Sequence, residues 1–453
     1  MARKQPNRLL TALLDEADWN RAELARAVND LGAAQGLPLR YDRTSVAHWL
    51  TGSRPRAPVP DLVAAAFSRR SGRLVTAEET GLARPPQTTG ESFPGPLSVA
   101  GHVGDRLAAL SRADTDPVRR AQLTGSVYEL AAEAPFWHPG RRPAPRKGVG
   151  PQATSGDLER LHRMIRVFAD LMERHGGDHA RSALAAYLAE DISRLLTTSA
   201  VPSLRRELFA GAGQLTHLQA RMSMDAGHHS VAQRYFTTAL DLAREADDRR
   251  LFAITLRAMS LQALFLGFGE HAGQLSGAAV DTAGSGTDAA TRAFLLSQRA
   301  LTHAHARQPH RAVRDLTAAE AEHDRATSPA GPFTGYPRAG LDYQRARVCL
   351  ALGDTAEAVR ALTASADDRA DDRHRSSALT RARLAETLLS VGHLDESCVH
   401  WHIFLDHYPS LRSAPADQAH RRLRTSLRGF RRQPQAAAVI HRARAFPPRR
   451  AAR

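Results

Sequence analysis

Apolar residues recur along this chain at spacings of three and four rather than at every second position, and that period predicts helices from one end to the other. Leu9, Leu10, Leu13 and Leu14 mark a first helix over residues 7–17. Asn20 is placed to cap a second, over 21–34, striped by Leu24, Ala25, Val28 and Leu31. Asp42 and Gly52 bracket a short third, in which Val46, Trp49 and Leu50 form one face and Arg43, Thr44 and His48 the other. Pro60 and Asp61 open a fourth with Leu62, Val63, Ala66 and Phe67 inward, and residues 75–82 close this N-terminal bundle. The predicted fold class is all-α: a helix-turn-helix bundle followed by an α-solenoid.

The same pattern divides the chain. Residues 1–84 form the bundle, and 85–97, rich in Pro, Gly, Ser and Thr without period, read as a linker. Residues 98–156 form a connector: two helices broken near Asp116-Pro117, then a basic loop carrying Pro139, Pro143, Pro145 and Pro151. From 157 to 430 the helical period returns with a repeat inside it. Gly227 has Ala220 seven residues before it, Ala232 five after, Phe236 nine after and Ala239 twelve after. Gly353 repeats this with Ala346, Ala358 and Leu362, and Gly392 with Ala385, Ser397, Trp401 and Phe404. Gly267 (Ser260, Ala272, Ala279) and Arg307 (Ala300, Ala312, Leu316, Ala319) are weaker copies. A more divergent unit around Gly176-Gly177 and Ala180 begins the array, residues 416–430 cap it, and 431–453 read as a basic, disordered tail.

These offsets resemble the tetratricopeptide repeat, in which small residues let paired helices touch and large ones fill the joint. The resemblance implies a concave face lined by His217, Arg221, Arg257, Ser297, His305, Tyr343 and Arg347, with Ala382 and Glu386 in the last unit, where the positive character fades. Such a face suits an acidic or C-terminal carboxylate ligand; the alternatives are a solvated wall or a dimerisation surface. Residues 7–82 resemble the helix-turn-helix of phage-repressor-like (XRE) transcription factors, although the connection 31–41, with Gly32, Gly36 and Pro38, is longer than that family uses. By that resemblance Arg43, Thr44, Ser45 and His48 would read bases in double-stranded DNA, and Arg40, Arg54 and Arg56 would hold phosphates. The phrases SVAHWL (45–50), RPRAPVPDL (54–62) and SVGHLDESCVHWHIFLDHYP (390–409) resemble those of the actinobacterial NsdA-like regulators of development and secondary metabolism. The architecture alone is similar to the peptide-responsive regulators of Gram-positive bacteria. Those clamp peptide backbones with asparagines, whereas the three asparagines here, Asn7, Asn20 and Asn29, all precede residue 30.

Charge agrees with an anionic partner. The net charge is +15, and arginine supplies all but Lys4 and Lys147 of the 62 basic residues. The excess gathers at the C-terminal end, where residues 411–453 contain Asp417 as their one acid and an arginine-rich run able to add salt-sensitive affinity for DNA. Two cysteines, Cys349 and Cys398, make neither a disulfide framework nor a zinc cluster, and with no leader-like start or long apolar run they point to the cytoplasm, at the nucleoid. Cys398, His400, His402 and His407 invite a metal, but a repeat helix already explains the segment. No nucleophile elbow, zinc-protease motif or phosphate loop is present, so neither a catalytic site nor a cofactor is expected. The expectation is a dimeric DNA-binding regulator whose array senses a ligand or protein; the alternative is a repeat scaffold acting through protein contacts.

Overall fold

The computed structural model describes residues 6–34, 37–56, 58–71, 75, 77, 79–82, 102–124, 128–130, 134–138, 152–284, 286–327, 336–370 and 372–446. The linker 85–97 and most of the basic loop lie outside these residues. Among them no strand occurs; one isolated bridge joins Gln152 and Ser199. The chain is all-helical, as its period predicts, and no helix is long and apolar enough to cross a membrane.

Four helices open the fold: α1 (Arg8–Glu16), α2 (Arg21–Ala34), α3 (Arg43–Leu50) and α4 (Val59–Ser71). Asn7 caps α1 by accepting from the Leu10 N–H (3.1 Å), and its amide donates to the Thr80 carbonyl (2.8 Å), tying the closing turns at 79–82 to the start of the bundle. Asn20 and Glu23 exchange side-chain bonds with each other's N–H groups in a capping box. The long connection before α3 is controlled by Asn29, whose amide donates to the Tyr41 carbonyl and accepts from the Tyr41 N–H, both at 2.8 Å. Asp42 then caps α3, and Gly52 leaves it with φ +99°. Val46 and Trp49 are buried in the same apolar cluster as Leu24, Val28 and Leu62, so Trp49 is core, as its stripe predicts.

Helices α5 (Val103–Thr115) and α6 (Pro117–Thr124) break at the expected Asp116-Pro117. They pack against α8 (Gly177–Tyr187) and α11 (His229–Ala246), and Asp114 is the joint. Fully buried, it accepts from Arg181 Nη1 (2.6 Å), Gln219 Nε2 (3.1 Å) and the Tyr235 hydroxyl (3.1 Å). A buried carboxylate is tolerable where such partners replace its water. Helix α7 (Ser155–His175) precedes α8; a π-turn, Leu188–Ile192, leads to the short α9 (Ser193–Thr197).

The array is a run of antiparallel pairs: α10 (Pro202–Asp225) with α11, α12 (Arg249–Phe265) with α13 (Gly269–Ala283), α14 (Ala289–His305) with α15 (Pro309–Asp324), α16 (Arg338–Leu352) with α17 (Thr355–Asp367), and α18 (His374–Ser390) with α19 (Leu394–His407). Each turn uses the residue that the repeat offsets single out: Gly227, Gly267, Gly353 and Gly392 have φ of 87–90°, and Arg307 adopts the same region at 56°. At Gly267 the nearest group to an added Cβ is the movable tip of exposed Arg69, so there too it is the positive φ that asks for glycine. The small residues at minus seven and plus five face one another across each pair. Where serine replaces alanine it donates to the opposite carbonyl, Ser260 to Ala272 and Ser397 to Ala385, both at 2.8 Å.

The two ends of the array meet. Helix α7 packs against both α10 and α18. Asp225, the last residue of α10 and wholly buried, accepts from the Gly177 N–H (2.7 Å), the Ser413 hydroxyl (3.0 Å) and both Arg375 Nε (2.8 Å) and Nη2 (2.5 Å). Arg412 completes the seam with backbone bonds to His175 and Asp178. The array therefore closes on itself.

Helices α20 (Ala414–Ser426) and α21 (Pro434–Arg444) follow. Here the expectation of a disordered tail from 431 is corrected. Ala436, Val439 and Ala443 form a buried stripe, and His420 bonds the Ala443 carbonyl at 3.0 Å. Abundant arginine masks an apolar period of three, four and seven; residues 447–453 lie outside the description.

Candidate functional site

Two surfaces carry the polar residues singled out from the sequence. The first is the outer face of α3, where Arg43, Thr44 and His48 are exposed, followed in the chain by exposed Arg54 and Arg56; Arg40, expected beside them, is exposed but lines the second surface. Ser45, half-exposed beside them, also serves the helix cap: its hydroxyl donates to Asp42 Oδ1 at 2.8 Å and its N–H to the same oxygen, also at 2.8 Å. These bonds hold the Asp42 carboxyl below its ordinary range.

The second is an open cavity of about 2000 Å³ lined by the inner side of the array, with Leu37, Pro38 and Arg40 of the N-terminal bundle and residues of α20 at its border. Because the inner helices α10, α12, α14 and α16 pack each against the next, residues one repeat apart converge on it, and α18 adds its own. Of the seven groove residues expected, His217, Arg221, Arg257, Tyr343 and Arg347 line the cavity. Ser297 does not: it is fully buried, donating to the Phe294 carbonyl (3.0 Å) and meeting the Tyr336 hydroxyl (3.2 Å). His305 sits exposed at the end of α14, outside the lining. Nor does positive character fade in the last unit. Arg383, one residue past Ala382, and Arg369, in the approach to α18, both line the cavity, as does Arg422; Glu386 pairs with Arg422 (2.7 Å) and lies 3.6 Å from Arg383.

The electrostatics of this wall follow from burial. His217 contacts the Thr255 hydroxyl at 3.1 Å and is held well below its usual value by burial, then by Arg221 and Arg257, so it is a neutral hydrogen-bonding group and not a cation. Arg257 donates through Nε to the Phe294 carbonyl (2.9 Å) and lays its guanidinium over that ring, 3.5 Å from the centroid. Burial pushes it down to about 9, which leaves it charged at neutral pH. Arg347 donates to Gln344 Oε1 (2.8 Å), and Arg369 to Thr380 Oγ1 (2.9 Å) and Ser365 Oγ (3.2 Å). All these acceptors are neutral. Tyr343 registers the resulting field: burial alone would raise its phenol, yet Arg383, Arg347 and Arg369 together hold it below its ordinary value. Arg375, which also lines the cavity, is compensated: Asp225 and Glu173 engage it and raise it against its burial.

The histidine and cysteine cluster has structural uses. Cys398 is buried, His400 contacts Arg381 (3.3 Å), and the His402 carbonyl accepts from Arg442 (3.1 Å).

Paired helices, small residues at the joints and left-handed turns define a tetratricopeptide-like helical array bearing an N-terminal helical bundle. Residues 10–83 match the family described as the SP15 N-terminal domain. No curated protein sequence matches the chain. Among solved structures it is similar to a chain of the crystal structure of the APC/C hetero-tetramer Cut9-Hcn1, at 14% identity over 93% of this chain and 68% of that one, with a TM-score of 0.34.

Proposed function

We propose that this protein is a binding scaffold, not an enzyme, and that its array takes an acidic ligand or an acidic segment of a partner protein into the central cavity. The observation that supports this is the set of arginines held by neutral acceptors. Guanidinium groups do not shed their protons at neutral pH, and a cation removed from bulk water without a counter-charge is costly. A ligand carboxylate supplies that counter-charge in the forked geometry arginine prefers. Fluorescence anisotropy with a labelled glutamate-rich dodecapeptide tests the reading on the full chain. Saturable binding that a neutral peptide of equal length does not show, and that Arg257→Gln weakens, is the expected result. Equal binding of the neutral peptide would overturn it.

A second reading is favoured by α3. A capped helix with Arg43, Thr44 and His48 outward and Arg54 and Arg56 just after it suits the major groove and flanking phosphates, as in XRE-like regulators, where dimers read paired half-sites. In that reading the array couples ligand to DNA. Selection from a random duplex pool with the full chain, with and without the acidic peptide, tests it; a paired motif supports a dimeric reader, and salt-sensitive retention without enrichment refutes it.

A further inference from the structure

The arginines of the cavity are not spread evenly. Arg257, Arg347, Arg369 and Arg383 gather around Tyr336 and Tyr343, reaching the site from α12, α16, the segment before α18, and α18 itself. Arg383 has Glu386 at 3.6 Å. Among the described residues the other three have no carboxylate within 4 Å. The field of Glu173 reaches Arg369, but its oxygens face the Ser376 hydroxyl (2.6 Å) and Arg375 (3.9 Å).

Their orientations are fixed from behind. Gln344, which holds Arg347, donates to Gln298 Oε1 (3.3 Å), and Gln298 donates to the Ser260 hydroxyl (3.2 Å). This row of buried amides crosses three inner helices and ends on a joint serine. Arg369 is held by two hydroxyls, and Arg257 by a carbonyl and a ring face. Each support aims a guanidinium and cancels none of its charge, which is the construction of a pre-organised anion site.

The number and kind of cations select among anions. One carboxylate brings a single charge and two oxygens, and one arginine fork satisfies it. Three unmatched guanidiniums around one space suit a group with about two charges and three terminal oxygens. The two tyrosine hydroxyls add neutral donors. We propose that this cluster is a phosphoryl-binding subsite, taking the phosphate monoester of a small organic phosphate or of a phosphorylated partner side chain. The inference rests on the reading of the array as a receptor for an acidic ligand and narrows it.

Isothermal titration calorimetry on the full chain separates the possibilities. The probes are inorganic phosphate, O-phosphoserine and a neutral decapeptide carrying one phosphoserine, with aspartate and citrate as carboxylate controls. The expected result is binding of at least one phosphate probe, with aspartate and citrate weaker by tenfold or more. Phosphate and phosphoserine would mark a small-molecule site, and the decapeptide alone a phosphoprotein site. Arg347→Gln and Arg383→Gln should each weaken binding tenfold or more, and Arg347→Lys should fail to restore it, because a point charge lacks the fork. Circular dichroism identifies any variant that misfolds, and the other then carries the test. Citrate and the glutamate-rich peptide binding while every phosphate probe fails would overturn the subsite and leave the receptor reading standing. No binding by any anion would overturn both. Phosphate binding that neither glutamine variant alters would place the anion elsewhere and overturn the subsite.

Discussion

Asp225→Ala tests how the array is closed. The carboxylate is fully buried and meets Arg375 through two nitrogens, the Gly177 N–H and the Ser413 hydroxyl. Truncation leaves the Arg375 guanidinium, 15% exposed, with the more distant Glu173 as its remaining carboxylate among the described residues. Removing one member of a buried pair costs about 3–5 kcal/mol. The orphaned Gly177 N–H adds about 1 kcal/mol. Against a total stability of ~5–15 kcal/mol the closed form would lose a large share. Because Asp225, α7 and residues 412–413 join opposite ends of the array, the loss should appear first there. Amide hydrogen exchange should accelerate in α7 and α18 before the middle pairs, and urea unfolding followed by far-ultraviolet circular dichroism should shift to lower concentration. Arg375→Met removes the other partner, and the double variant should be more stable than the two single effects predict, since no lone charge remains buried. A cost under about 1 kcal/mol, the range of an exposed pair, or strict additivity of the two changes, would refute the argument.

Three further outcomes follow from particular residues. Burial, reinforced by Arg181, pushes His228 down to about 4 from 6.5. The unfolded chain therefore binds a proton that the folded chain refuses, stability falls as pH drops from about 6.5 toward 4, and His228→Gln should flatten that stretch of a urea-midpoint profile; an unchanged slope overturns the assignment. Arg307 pays a conformational cost at φ 56° where the other four turns have glycine, so Arg307→Gly should raise the thermal midpoint, by about 0.5–1 kcal/mol of stability, and a lowered midpoint counts against it. Asn29→Ala deletes both bonds to the Tyr41 backbone and should cost about 1–3 kcal/mol while altering tryptophan fluorescence, because Trp49 packs edge-on to Tyr41 at 5.0 Å; unchanged emission and stability would mean the connection holds α3 without it.

What could be read from sequence was whatever repeats locally. A left-handed turn and two facing small residues need fixed offsets, so the five turn positions and their buried partners were legible in advance. The inner-helix residues His217, Arg221, Arg257, Tyr343 and Arg347 were legible for the same reason. Tyr336 and Arg369 were not, because they stand between helices, where no offset applies. Ser297 was misplaced because offset names a helix face and not the depth to which a neighbouring tyrosine covers it. His217 was read as part of a positive wall, but its charge depends on burial, which composition does not report. The closure was invisible, since Asp225 meets Arg375 across 150 residues and Ser413 across 188.

That closure also limits how such a protein can change over time. An open row of helical pairs can gain or lose a unit by recombination, because each pair touches only its neighbours and the new end is merely a new end. Here the span from α10 to α18 must bring Asp225 to Arg375 and Ser413 with both curvature and length correct. Deleting one pair would move those groups apart by a whole unit and leave a buried carboxylate and a buried cation unmatched. The number of pairs is thereby a property of the molecule as strict as the identity of any single residue, and variation in this chain is confined to substitutions and to the loops between pairs.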